Sequence, residues 1–172
     1  TLQYDVQIND RQEFDVRRDS DDNRPSLDLL LSTHNFNADL VYDAKLNYEI
    51  QTGINLGYQE NLADPSTGVR RLIPDYERYD LGAYAALTYN LSDNFTLETG
   101  ARYDFQMVDS FKFYQLSRWE ERGYDEDFPE FEISRNGNQI LTNPKFEYHN
   151  FSGTLGLNYA INDRYTFLAN YS

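Results

Sequence analysis

The sequence predicts an all-β chain. We read an antiparallel transmembrane β-barrel segment of about seven strands, laid out as a meander of hairpins and forming part of a larger barrel. Three observations predict it. Side chains alternate strictly between apolar and polar on both sides of short turns, as in YDLGAYAALTYNLSDNFTLETGARYDF from Tyr79 to Phe105. Rings recur ten residues apart on the apolar face, at Tyr79 and Tyr89, Phe95 and Phe105, and Tyr48 and Tyr58. Tilted strands climb about 24 Å over ten residues, close to the ~25 Å apolar band of an outer-membrane barrel with aromatic girdles at both rims. Finally, Tyr42/Tyr48, Tyr89/Phe95 and Tyr159/Tyr165 each straddle a short turn. Short turns then share one side of the sheet and long loops the other, the asymmetry of such barrels.

Composition bounds the alternatives. The 172 residues carry a net charge of -14 and a mean hydropathy of -0.76. They contain no run of eighteen apolar residues, so a transmembrane helix is excluded. A membrane barrel passes this test because its lumen face and loops are polar. The 15 Tyr and 11 Phe beside one Trp and one Met suit strands and girdles. Zero cysteine excludes a disulfide scaffold and a thiolate metal site. The acidic balance argues against nucleic acid and anionic membrane surfaces as partners. No signal peptide is visible and the chain opens on Thr1 inside a strand pattern, so an excised piece is expected.

In chain order, Leu2, Tyr4, Val6 and Ile8 face one way, with Phe14 and Val16 in the same phase, on one long strand. A hairpin turning at Asn9-Asp10 is the alternative. Asp19 to Pro25 is a loop. Asp19, Asp21 and Asn23 have the first spacings of an EF-hand, but Arg24 stands where glycine is needed and Leu30 where the closing glutamate belongs, so a solvated acidic loop is the reading. From Ser26 to Asp43, apolar residues switch from odd (Leu27, Leu29, Leu31) to even (Phe36, Ala38, Leu40, Tyr42), which predicts a bulge near Thr33-His34. His34 and His149, the only histidines, have no ligand-spaced neighbours and are read as surface or girdle residues.

Leu46, Tyr48, Ile50, Ile54, Leu56 and Tyr58 form the next apolar face, before a long loop from Gln59 to Arg78. After the Tyr79 to Phe105 hairpin the strand continues towards Tyr114, and an irregular charged loop runs from about Gln115 to Pro144. Phe151 to Ile161 descends, Asn162-Asp163-Arg164 turns, and Tyr165 to Tyr171 rises. Asn90-Leu-Ser, Asn94-Phe-Thr and Asn150-Phe-Ser fit the N-glycosylation pattern, but such triplets arise by chance.

Several segments resemble the barrel of TonB-dependent outer-membrane receptors, in the form common in the Bacteroidetes. They are Asn9 with Arg11-Gln12-Glu13-Phe14-Asp15 and Arg17-Arg18; Gly68 with Arg71-Leu72-Ile73-Pro74-Asp75-Tyr76; and Leu97-Glu98-Thr99-Gly100-Ala101-Arg102-Tyr103-Asp104. The resemblance covers most of the chain and implies a barrel of twenty-two strands around an N-terminal plug that engages the TonB energy-coupling complex. Residues 1–172 are then a single region, a central part of the wall without the plug. The implied role is active import, across the outer membrane of a Gram-negative bacterium, of a scarce small molecule: most often an iron chelate (ferric siderophore or haem), sometimes vitamin B12 or an oligosaccharide.

On that reading the partners are outer-membrane lipid, the TonB complex through the plug, and the small-molecule chelate or other nutrient; no cofactor is implied. The inward polar face offers Glu49, Gln51, Asn55, Glu98, Arg102 and Asp104 towards the lumen and plug. The external loops offer Arg70, Arg71, Trp119, Tyr124 and Asp127 to a ligand, since exposed aromatics and arginine most often carry binding. Two other classes compete: a small eight-stranded anchor or adhesin barrel using the Asn9-Asp10 turn, and a soluble β-sandwich binding module. An enzyme is not expected, because neither histidine has a Ser or Asp partner by spacing and the acids from Glu120 to Asp127 form no recognisable pair.

Overall fold

The computed structural model describes residues 1–14, 25–44, 47–67 and 73–172. Nine strands in order form one antiparallel sheet system: β1 (Leu2–Glu13), β2 (Leu27–Ala44), β3 (Tyr48–Ala63), β4 (Asp75–Ser92), β5 (Phe95–Gln115), β6 (Glu132–Asn136), β7 (Gln139–Thr142), β8 (Lys145–Asn162) and β9 (Tyr165–Tyr171). Seven of them, β1 to β5, β8 and β9, pair with sequential neighbours as a meander, which is the predicted wall. No helix among the described residues is long and apolar enough to cross a membrane.

β1 runs unbroken through Asn9 and Asp10, each paired with β2, so the alternative hairpin there is not formed. The bulge expected at Thr33-His34 is also absent, and β2 keeps continuous register with both neighbours. The apolar phase switches because the two ends of β2 bury different faces. Ala38 and Phe36 lie on the face of Ile54 and Leu56, whereas Leu29 lies on the opposite face beside Ala63, where both are buried. There the outer rim is tied together: the Asn61 side-chain amide donates to the Pro74 carbonyl at 2.9 Å and the Ala63 N–H to Asp75 at 2.8 Å. The Gln59 to Arg78 loop is accordingly shorter than expected, since β3 reaches Ala63 and β4 begins at Asp75. The EF-hand-like spacing at Asp19, Asp21 and Asn23, together with Val16 and Leu46, lies outside the described residues.

The short turns fall at one end, as expected. Asn47 takes a left-handed φ of 75°, a conformation Asn tolerates with little strain, and its carbonyl receives the Asn90 N–H at 2.7 Å. The β4–β5 and β8–β9 turns repeat one design. Register slips by one residue between Asn90 and Ser92 and again between Ala160 and Asn162, and the residue before the turn caps it: Asn162 Oδ1 accepts from the Arg164 and Tyr165 N–H groups at 2.9 and 3.1 Å.

The opposite end carries more order than the sequence reading allowed. Residues 116–142, expected to be irregular, hold α1 (Leu116–Glu121), α2 (Tyr124–Asp127), a 3₁₀ turn and the β6–β7 hairpin. Gly123, at φ 71°, ends α1 in the left-handed conformation with its N–H on the Glu120 carbonyl, and Gly137, at φ 60°, makes the tight β6–β7 turn. β5 serves both parts: residues 95–109 pair with β8, and Lys112 to Gln115 pair with β7. This cap has its own small core, with Ile140 and Thr142 fully buried and Trp119 3% exposed among Tyr114 and Tyr124.

Candidate functional site

Register fixes what each face of the wall offers. On the girdle face, Tyr4, His34, Tyr58 and Tyr79 form a continuous chain of ring contacts across four strands, with centroids 6.1, 6.2 and 5.1 Å apart. Tyr103 and Phe105 extend the belt with His149, so both histidines are girdle residues, each accepting or donating a 2.7 Å hydrogen bond to a tyrosine hydroxyl. The second belt, ten residues along, includes Tyr42 against Tyr48 and Phe95 against Tyr159. Between the belts on β2 to β5 the outward residues are Leu, Ile, Ala, Phe and two threonines, Thr52 and Thr99. Both hydroxyls donate to a carbonyl of the neighbouring strand, Thr52 to Tyr84 at 2.8 Å and Thr99 to Thr154 at 3.1 Å. Groups that face hydrocarbon must be satisfied internally, and these are.

The other face is polar and internally bonded. Glu49, Gln51, Asn55, Glu98, Arg102 and Asp104 all share it, opposite the girdle rings. Cross-strand rows on this face run Asp39–Gly53–Tyr84–Arg102–Ser152, Asn37–Asn55–Gly82–Asp104–Asn150 and Asn35–Gly57–Asp80–Gln106–Tyr148. The glycines make this face work. Tyr84 reaches across β3 to donate to Asp39 at 3.0 Å, and it can do so only because Gly53 lies beneath; a Cβ there would stand 2.6 Å from the Tyr84 ring. Arg102 forks onto Asp104 with bonds of 2.6 to 2.9 Å above Gly82, where a Cβ would meet Arg102 Nη2 at 2.7 Å. Asp80 takes Arg78 Nε at 2.8 Å and Gln106 at 2.7 Å, and Asn55 donates to Asn37. A concavity of about 400 Å³ opens here, lined by Asn35, Arg78, Asp80, Gln106, Tyr148 and Asn150 among others.

Of the residues in these contacts, Arg102, Asp104 and Asn55 are among the lumen candidates named from the sequence, and Asp39, Arg78, Asp80, Tyr84 and Gln106 are not. Tyr84 sits among alanines in a strand that reads as greasy, and only the register shows that glycine opposes it. Among the described residues no group of three or more His, Cys, Asp or Glu is placed to hold a metal ion.

At the outer end, Arg70 and Arg71 lie outside the described residues. Asp127 is exposed on α2, and Tyr124 is half-buried with its edge towards Trp119. Trp119 does not meet the premise of exposure that made it a ligand candidate. Its ring is enclosed by Tyr114 and Tyr124, 5.2 Å from each, so it holds the cap together instead. Phe128 and Phe131 stack at 5.4 Å and 7°, with Phe128 exposed. Arg135 joins Glu132 at 2.6 and 2.8 Å and reaches Glu120 at 3.7 Å; its hydrogen bonds hold the Glu132 carboxyl below its ordinary value.

A two-faced antiparallel wall, greasy between aromatic belts on one side and polar on the other, with short turns at one end and a folded cap at the other, defines a segment of an outer-membrane β-barrel. The model of the family described as "TonB dependent receptor-like, beta-barrel" matches residues 1–172, and the chain belongs to that family, whose members are outer-membrane proteins of Gram-negative bacteria. No curated protein matches it in sequence. Among solved structures it is similar to one described as "Copper transporter OprC", with a TM-score of 0.51 and 16% identity, covering 98% of this chain and 26% of that one. At that identity the likeness shows the fold, and the chain spans about a quarter of that protein's length.

Proposed function

We propose that this chain is part of the wall of an outer-membrane receptor that imports a scarce small molecule by TonB-dependent transport, and that it acts in passage rather than in catalysis. The finer reading is an iron chelate, ferric siderophore or haem, bound first at the external cap and then passed along the polar face against a plug supplied by another part of the receptor. One observation supports the transport reading: the two threonine hydroxyls that face outward between the belts on β2 to β5 are closed onto neighbouring backbone, while the inward face keeps open polar groups and a concavity. A wall built this way separates hydrocarbon from a polar interior.

Within the cap, Asp127, Tyr124 and the exposed Phe128 are the proposed ligand contacts, together with Arg70 and Arg71; Glu49, Gln51, Asn55, Glu98, Arg102 and Asp104 are the proposed lumen contacts. The test is growth of the source bacterium on a ferric siderophore, haem or limiting copper after deletion of the parent gene and, separately, of the TonB gene. Loss of growth on the same nutrient in both strains is the expected result. Growth unimpaired on every nutrient in the parent-gene deletion would overturn the import reading, and loss on copper alone would overturn the iron reading.

A further inference from the structure

We propose that the concavity on the polar face is a carboxylate-binding station organised by Arg78. The argument rests on which hydrogen-bonding groups are already used. Asp80 is occupied on both oxygens, Oδ2 by Arg78 Nε at 2.8 Å and Oδ1 by Gln106 at 2.7 Å. Asp104 takes three bonds from Arg102, on both oxygens. The two acids of the concavity thus each have an arginine beside them and both oxygens hydrogen-bonded, which weakens their pull on a further cation.

The open groups are chiefly donors. Arg78 gives only its Nε to Asp80, and its two Nη groups have no hydrogen-bond partner among the described residues. The amides of Asn35 and Asn150 and the hydroxyl of Tyr148 also line the concavity without a partner among the described residues. A guanidinium held by its Nε presents a fixed planar edge, and that edge matches a planar two-oxygen anion. The amide and phenol groups of Asn35, Asn150 and Tyr148 line the same space further from the guanidinium, where they face the rest of such a ligand.

The backbone leaves room for it. Asn35 and Tyr148 stand two strands away from Asp80 on either side, and the intervening position on the Asn35 side is Gly57. A Cβ at Gly57 would come within 3.0 Å of Asp80 Oδ2 and close the floor. The resulting space of about 400 Å³ takes a carboxylate with its attached chain. The carboxylate has two sources: an acidic side chain from another part of the receptor packed against this face, or a soluble carboxylate in passage. The soluble source rests on the import reading; the internal source does not.

The experiment uses the full-length receptor in detergent, radiolabelled citrate as the probe, and the variants Arg78→Gln and Asp80→Asn. Asp80→Asn removes the Arg78–Asp80 ion pair but leaves the guanidinium edge. A soluble source predicts citrate binding that weakens about tenfold or more in Arg78→Gln and by a smaller factor in Asp80→Asn, which loosens the Nε anchor but keeps the guanidinium charge. An internal source predicts no citrate binding, together with a melting temperature that falls further in Arg78→Gln than in Asp80→Asn. Citrate binding equal in wild type and Arg78→Gln would overturn the proposal. So would absence of binding with equal melting temperatures in the two variants.

Discussion

The wall and the cap handle apolar side chains in opposite ways. Among the described residues the buried apolar ones are Leu29, Ala63, Trp119 and Ile140, all at the outer rim or in the cap and none between the aromatic belts. Between the belts, Leu81, Ile54, Leu56 and Leu155 are 41, 44, 41 and 48% exposed, and Phe151 is 74% exposed. In water such a surface would be an aggregation hazard; against lipid tails it is the covered face. The cap folds as soluble proteins do, by enclosing Trp119 and Ile140 under short elements. One chain therefore contains two solvents' worth of design, and exposure means something different in each half.

That contrast is open to direct test. The largest effect is expected from Trp119→Ala, which empties the cap's core and costs about 3–5 kcal/mol of cap stability. Trypsin should then cleave at Arg122 or Arg135 while the barrel keeps its resistance to sodium dodecyl sulfate; loss of that resistance would show that cap and wall fold as one unit. Ala85→Arg places a charge midway between the Tyr79 and Tyr89 belts and costs about 2–4 kcal/mol in urea titration from lipid vesicles. The same change at the exposed cap residue Ile133 should stay within about 0.5 kcal/mol. Equal costs at the two sites would remove the distinction between lipid-facing and water-facing surface.

On the polar face, Gly53→Val would drive a methyl group into the Tyr84 ring and the Ala38 carbonyl, at a cost of about 1–3 kcal/mol. Tyr84→Phe removes only the bond to Asp39, worth about 0.5–1.5 kcal/mol. If Gly53→Val proved no worse than Tyr84→Phe in the same titration, the glycine would not be the seat on which the tyrosine lies.

The smallest effect is electrostatic. Glu132 is held below the ordinary carboxyl value of 4.5 chiefly by its hydrogen bonds from Arg135. Its stabilisation of the cap is therefore complete above 4.5 and lost as pH falls through the depressed folded value. Acid-protease cleavage of the cap should accelerate over that window in the wild type and show no such step in Glu132→Gln.

Much of the wall was legible in the sequence because period-two alternation is a local property: a strand's two faces follow from the pleat alone. The ten-residue ring spacing added the height of the belt, and the six-residue pairs located the turns. The misread segments had non-local causes. Leu27, Leu29 and Leu31 looked like a slipped lipid face because nothing in β2 reveals that its outer end lies against Ala63. The cap was read as loop because carboxylates dominate it, although Asn136-Gly137 between EISR and QILT is a recognisable hairpin signal.

What the sequence determined by itself is the two-faced strand, its length and the side on which the chain turns. These follow from side-chain alternation and from turn chemistry acting over a few residues. The tertiary structure alone decided which inward groups meet. Register set Tyr84 over Gly53 and against Asp39, seated Arg102 above Gly82, and left Arg78 with its outer edge unused among the described residues. Pairing of strands far apart in the chain sums many weak cross-strand terms, and a shift of one residue would turn every one of these contacts to the other face.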